Sequence, residues 1–250
     1  MRYFIRISFK GTTYGGWQMQ HNAPSVQATV TRALSLYLGE PITVCGAGRT
    51  DAGVHAINYI AHFDSDKLDL QKKHTHYAYK LNAILPPDVC VHAITPLHAQ
   101  AHARFDAQLR TYRYHIHLSK NPFSDSFSLF CPYSLDVDAM NRAAGFLIGT
   151  HDFTSFSKLH GGNKGSICTV THAQWLPQPE NSLLFEISAN RFLRNMVRAI
   201  VGTLIDVGRG KIEPDKVLHI LQQKDRGAAS NSVAAHGLFL YKIDYPYSVL

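Results

Sequence analysis

The chain has 250 residues, 45% of them hydrophobic and 17% charged, enough apolar material for one large or two modest globular bodies and too much for a disordered chain. Its 25 Lys and Arg outnumber 18 Asp and Glu, a formal charge of +7, which leans towards a polyanionic partner without demanding one. No stretch approaches the roughly 18 apolar residues that span a bilayer, and the alternating N-terminus lacks the apolar run of a signal peptide, so a soluble, cytoplasmic protein is expected.

Residues 2–9 alternate as a strand does, and Gly11, Gly15 and Gly16 follow as a turn. Ser25 can cap a helix whose Val26, Val30, Leu34 and Tyr37 share a face, with Gly39 as its stop. A short strand at 42–45 runs into a glycine-rich segment, Gly46 to Gly53, and a second strand leaves it at 58–63. Residues 68–83 look helical, closed by Pro86-Pro87, and 89–94 reads as a strand. In the second half, Tyr112, Tyr114 and Ile116 alternate with Arg113, His115 and His117 in a two-faced strand over 111–118. Then come a helix at 136–148, strands at 167–176 and 182–189, and a long helix at 192–207 ending at Gly208. A helix at 213–223 and a strand at 237–245 complete the chain. Each half mixes strands and helices, which predicts two α+β domains, 1–102 and 103–250.

The basic excess belongs to both halves: residues 1–100 carry 9 basic and 6 acidic side chains, and the remainder 16 and 12. Cys45, Cys90, Cys131 and Cys168 lie far apart with no C-x-x-C pair, which argues for reduced thiols over a disulfide framework or a zinc site. The 15 histidines include the pairs His74/His76, His98/His102 and His115/His117. They lack the Cys or Glu companions of known metal sites, and neither H-x-E nor P-C-x-x-C of a zinc deaminase occurs.

Gly48-Arg49-Thr50-Asp51-Ala52-Gly53-Val54-His55 is the segment richest in chemistry. Its glycines do not fit G-x-G-x-x-G, and no Gly-Lys-Ser/Thr follows, so neither dinucleotide nor P-loop binding is supported. What remains is an aspartate among small residues, two positions after an arginine. Glycine permits close approach of a ligand to the backbone, and a nearby cation favours the ionised carboxylate, as covalent catalysis or metal binding requires. The plainer alternative is a turn-making Asp and a surface Arg. Near the chain's end, Arg198 sits among Phe192, Leu193, Met196, Val197, Ile200 and Val201. A charge in such company calls for an opposite one, and Asp51 is the first choice. Arg191, Arg194 and Arg198, spaced i, i+3 and i+7, alternatively form one solvated stripe, the reading preferred for Arg191 and Arg194.

The glycine-rich segment resembles the active-site motif of the TruA-type tRNA pseudouridine synthases. Further ordered blocks resemble the same family: Tyr3–Phe9, Gly16-Trp17-Gln18, Ser25-Val26-Gln27, Leu81–Asp88, Ala103–Ala107, Thr111–Tyr114, Gly149–Phe156, Met196–Gly202 and Gly237–Leu240. Phe9 departs from the family's usual Tyr, and Asn58-Tyr59 from its Gly-Gln, which removes an amide near the site. The resemblance implies a pseudouridine synthase fold, two α+β ferredoxin-like halves with mixed, mainly antiparallel sheets around a central cleft. It implies Asp51 as nucleophile, Arg198 as its partner and Tyr112 stacking on the target base, for which a core tyrosine is the bland alternative. Arg49 suits the flipped nucleotide's phosphate or its vacated place. The implied reaction isomerises uridine at positions 38, 39 and 40 in the anticodon stem-loop of tRNA, by a homodimer, with no cofactor, no metal and no membrane. A non-catalytic RNA-binding protein and an enzyme for another RNA are the competing expectations.

Overall fold

The computed structural model describes residues 1–68, 74–158 and 165–249. The chain divides into two compact units, one of residues 1–108 with 240–250 and the other of residues 109–239. The expected cut at 102/103 runs once through the chain, whereas here the C-terminal segment belongs with the N-terminal unit.

The first unit opens with β1 (Arg2–Phe9), then α1 (Val26–Leu38), β2 (Cys45–Gly46), β3 (His55–Asp64), α2 (His74–Asn82) and β4 (Val89–Leu97). β1 lies between β3 and β4, antiparallel to both. β2 adds two residues to β3, pairing Cys45 with His62 and Gly46 with Ala61. A strand near the C-terminus, 238–244, neighbours β3 and contributes its residues from 240 on to this unit. Both faces of β1 are buried, so Tyr3, Phe4 and Ile5 are all core residues. Tyr3 stacks on Phe63 on one side, while Phe4 on the other meets His62, Tyr245 and Tyr247. α1 begins at the expected cap, where Ser25 Oγ accepts from the Ala28 N–H at 3.2 Å. It stops at Gly39 in the left-handed region, φ 62°. Residues 69–73 of the expected helix at 68–83 lie outside the described residues, and α2 covers 74–82.

The expected strand at 42–45 shrinks to the pair at 45–46 for a visible reason. Side chains take the backbone groups that a ladder would use: the Ile42 N–H donates to Ser35 Oγ (3.0 Å), and the Val44 carbonyl accepts from Gln27 Nε2 (2.8 Å).

The second unit holds β5 (Leu109–His117), β6 (Leu129–Phe130), α3 (Val137–Gly145), β7 (Gly149–Asp152), β8 (Ile167–Gln178), β9 (Ser182–Ala189), α4 (Met196–Gly208) and α5 (Lys216–Gln223). Its sheet order is β5-β9-β8-β7, antiparallel throughout, with β6 parallel to β5. The last strand is β10 (Leu238–Asp244). The fold is therefore mixed α+β with mainly antiparallel pairing. α3 is tied to β8 by a reciprocal pair, Asn141 Nδ2 donating to the Trp175 carbonyl and the Trp175 N–H to Asn141 Oδ1. β7 was not anticipated: four residues, Gly-Thr-His-Asp, are too few and too polar to show a strand pattern.

The expected helix at 192–207 begins only at Met196. Asn195 takes the left-handed conformation, φ 66°, which Asn tolerates better than most residues. Its side chain donates to Ser232 Oγ at 2.5 Å. Arg191 and Arg194 precede the helix, so the i, i+3, i+7 stripe with Arg198 does not form.

Candidate functional site

In the first unit the glycine-rich segment is a loop between β2 and β3, and the sequence blocks around it hold it in place. The Ala47 N–H reaches back to the Ile60 carbonyl (2.9 Å), and the Val54 N–H closes a turn on the Asp51 carbonyl (3.2 Å). Thr50 is buried, its Oγ1 accepting from the Trp17 N–H at 3.0 Å. The Gly53 N–H, in the left-handed region at φ 79°, donates to the Tyr14 carbonyl. His55 is buried and its Nδ1 accepts from the Gly11 N–H at 3.0 Å, which anchors the loop's end to the opening block. Two glycines of the opening block are needed for this contact. A Cβ on Gly11 would collide with the Val54 carbonyl, and one on Gly16, at φ 107°, with the Thr50 carbonyl. The opening block is fixed in turn by Asp88, which accepts from Tyr14 Oη (2.8 Å) and Thr13 Oγ1 (3.0 Å) and whose carbonyl accepts from the Lys10 N–H. Burial and that carboxylate push the Tyr14 hydroxyl up to about 12.

Tyr59 braces the loop from below. It is fully buried, its hydroxyl donates to the Gly48 carbonyl at 2.5 Å, and the Gly48 N–H points at the same oxygen at 3.4 Å. Its ring stacks on Trp17 with centroids 4.1 Å apart. The exchange of the family's usual Gln for Tyr at this position thus adds a scaffold contact. The alternation of Tyr59, Ala61 and Phe63 along β3 was the available sign that residue 59 points inward. With Gly48 and Thr50 both tied down, Arg49 is exposed and Asp51 half-buried.

The second unit carries the other two residues expected from the sequence. Tyr112 on β5 is half-buried, with Phe192 edge-on at 5.0 Å. The core tyrosine of that strand is Tyr114, whose hydroxyl donates to the Ala234 carbonyl at 2.8 Å. Arg198, in the first turn of α4, is half-buried. Its Nε donates to the Val233 carbonyl at 2.7 Å, and the Val233 N–H returns a bond to the Arg198 carbonyl. Its positive charge opposes the rise that burial imposes on the Tyr114 hydroxyl.

Over its full length this chain resembles curated bacterial proteins. It is 46% identical to the tRNA pseudouridine synthase A of Bacteroides thetaiotaomicron over 99% of this chain and 92% of that one. The Bacteroides fragilis protein of the same name matches at 46% over 99% and 98%, and that of Porphyromonas gingivalis at 46% over 98% and 97%. Residues 143–246 match the family model for tRNA pseudouridine synthase. The chain belongs to the tRNA pseudouridine synthase A family. It is accordingly a pseudouridine synthase, an isomerase. Among solved structures, a chain of a Cbf5-Nop10-Gar1 complex matches with a TM-score of 0.33 at 10% identity, covering 81% of this chain and 54% of that one, a likeness too slight to carry any argument.

One group among the described residues of this pseudouridine synthase has the side chains for a metal ion: Cys45, His62 and His102, with ligand atoms within 4.8 Å of one another. Their hydrogen bonds speak against coordination. His62 Nδ1 accepts from the Ala103 N–H (3.1 Å), and His102 Nδ1 from those of Arg104 (3.1 Å) and Phe105 (3.2 Å). A neutral imidazole that accepts at Nδ1 carries its proton on Nε2, so neither ring has a second lone pair to give. Burial, reinforced by the Arg2 charge, lowers both histidines, His62 to about 4, which keeps them neutral. Burial raises the Cys45 thiol despite Arg104 and Arg2 nearby, so the sulfur remains protonated.

Proposed function

We propose that this protein converts uridine to pseudouridine in the anticodon stem-loop of tRNA, at positions 38, 39 and 40, with the Asp51 carboxylate as nucleophile. The observation that carries the reading is the loop itself. Thr50 and Gly48 are tied to the scaffold, Gly53 completes the turn, and Asp51 is held between them with an exposed arginine two residues away. Preorganised placement of a nucleophile is where a reaction without redox change or energy input gains most. The N1–C1′ bond of uridine breaks, the base turns, and C5 joins C1′ while the C5 proton leaves to solvent and N1 takes up a proton from it. Arg198 is the cationic partner of the carboxylate, Tyr112 stacks on the uracil, and Arg49 meets the phosphate or vacated place of the flipped nucleotide. Removing a base from its stack costs a few kcal/mol, and aromatic stacking returns about 1–3 kcal/mol. No cofactor or metal has a task in this chemistry. The working enzyme is a cytoplasmic homodimer. No helix among the described residues is long and apolar enough to cross a membrane.

The test is to map pseudouridine in total tRNA from cells with and without this protein. Loss at positions 38–40 alone is expected. Unchanged modification there, with loss elsewhere in RNA, would overturn the target while leaving the chemistry.

A further inference from the structure

Phe105 lies in the first unit, on the turn that follows β4, and its side chain is 75% exposed. Exposed single aromatics are ordinary on protein surfaces, so exposure alone argues nothing. What sets this one apart is how firmly it is seated. Its ring stacks on His102 with centroids 4.3 Å apart and planes 29° from parallel. His102 packs in turn against the buried His62, edge to face at 4.6 Å. The Nδ1 of His102 accepts from the main-chain N–H groups of Arg104 and Phe105 themselves, so the supporting ring and the supported backbone form one piece. Asp106 closes the turn: its N–H donates to the His102 carbonyl, and its Oδ2 accepts from the His102 N–H and from Tyr247 Oη, each at 2.7 Å. Tyr245 Oη donates to the Ala103 carbonyl at 2.6 Å.

Those bonds place one face of Phe105 on a neutral imidazole while 75% of the residue stays exposed. The ordering entropy of the ring is spent on folding, so a ligand that stacks on it does not bear that cost again. Over the ring lies a cation, the Arg104 guanidinium carbon 5.8 Å from the ring centroid. A rigid aromatic face next to an arginine is the combination that accepts a nucleobase together with its phosphate. An apolar protein partner would gain little from a lone ring with a charge over it.

We propose that Phe105 is a stacking platform for an unpaired base of the RNA substrate, with Arg104 engaging the neighbouring phosphate. The assignment rests on the tRNA reading above and adds to it a binding contact separate from Asp51, Tyr112, Arg198 and Arg49. Stacking of this kind is worth about 1–3 kcal/mol per base, or roughly 5- to 150-fold in affinity.

The experiment measures the Kd of the full-length protein for an unmodified tRNA transcript, with the Phe105→Ala and Phe105→Trp variants alongside. Phe105→Ala should raise Kd by roughly 5- to 150-fold with an unchanged thermal melt, because the side chain is exposed. Phe105→Trp should keep the affinity, and its added emission should be quenched by tRNA, which the buried Trp17 and Trp175 of the unmodified protein do not mimic. A Phe105→Ala variant that binds as tightly as the unmodified protein overturns the proposal whatever the fluorescence does. If that variant instead sediments differently at unchanged Kd, the ring serves contact between copies of this chain and the RNA assignment is wrong. Failure of the unmodified protein to bind tRNA would sink the functional reading itself, and is seen before any variant is made.

Discussion

Asp51 owes its position to neighbours that do no chemistry. Thr50 is fixed through its hydroxyl and Gly48 through both of its backbone groups, so the carboxylate between them and the 51–54 turn has little freedom. Tyr59→Phe keeps the stack on Trp17 but strips Gly48 of its hydroxyl partner. The variant should lose about 1–2 kcal/mol of stability in urea unfolding and roughly tenfold in kcat for a displacement of Asp51 of well under 1 Å, with KM for tRNA nearly unchanged. A KM rise at constant kcat would show that residue 59 touches RNA. His62 gives the molecule a pH signature. Folding holds its imidazole neutral down to about 4, whereas the unfolded chain takes up that proton near 6.5. Its contribution is therefore complete above pH 6.5 and is lost as the pH falls towards 4, by about 1.4 kcal/mol per unit at most. The urea midpoint should drop between pH 7 and pH 5, where carboxylates are still ionised, and His62→Gln should flatten that slope.

At the scale of elements, two glycines that share a positive φ predict different consequences. Gly39 ends α1 in the left-handed region, and a Cβ there would meet nothing closer than Lys67 Nζ at 3.9 Å. Gly39→Ala should therefore cost about 1 kcal/mol of stability and leave turnover alone. Gly16 also has positive φ, but its Cβ would strike the Thr50 carbonyl. Gly16→Ala should cost about 1–3 kcal/mol and also depress turnover, because the loop bearing Asp51 must shift; urea melts with initial rates on tRNA separate the two. The strong periodic elements were legible in advance for the same local reasons: the Ser25 cap, the Gly39 stop, the alternation of Tyr112, Tyr114 and Ile116 along β5 and the apolar run of α4. What stayed hidden depended on distant partners. The 42–44 segment is deprived of strand bonds by Ser35 and Gln27, and α4 is shortened by Asn195 engaging Ser232. The partners stand seven, 17 and 37 residues apart, and a hydrophobic period reports none of these polar side-chain bonds.

For the molecule as a whole, the family and its glycine-rich loop were readable from ordered blocks, and the blocks prove to be contacts. Gly11, Gly16, Trp17 and Asp88 all bear on the 48–55 loop or on what holds it. Tyr59 was not readable as a brace, because alternation along β3 shows which way the ring faces but not that its hydroxyl meets the Gly48 carbonyl. The charge of +7 predicts a tRNA affinity that falls linearly in log Kd against log salt; a flat response would exclude phosphate contacts as its source. The central claim is that one aspartate performs the bond exchange. It is tested most directly by tritium release from tRNA labelled at uridine C5, comparing the unmodified protein with Asp51→Asn. The account predicts release by the unmodified protein without added metal or nucleotide, and none by Asp51→Asn even though it binds the same tRNA with similar affinity. Equal release by both proteins would contradict it.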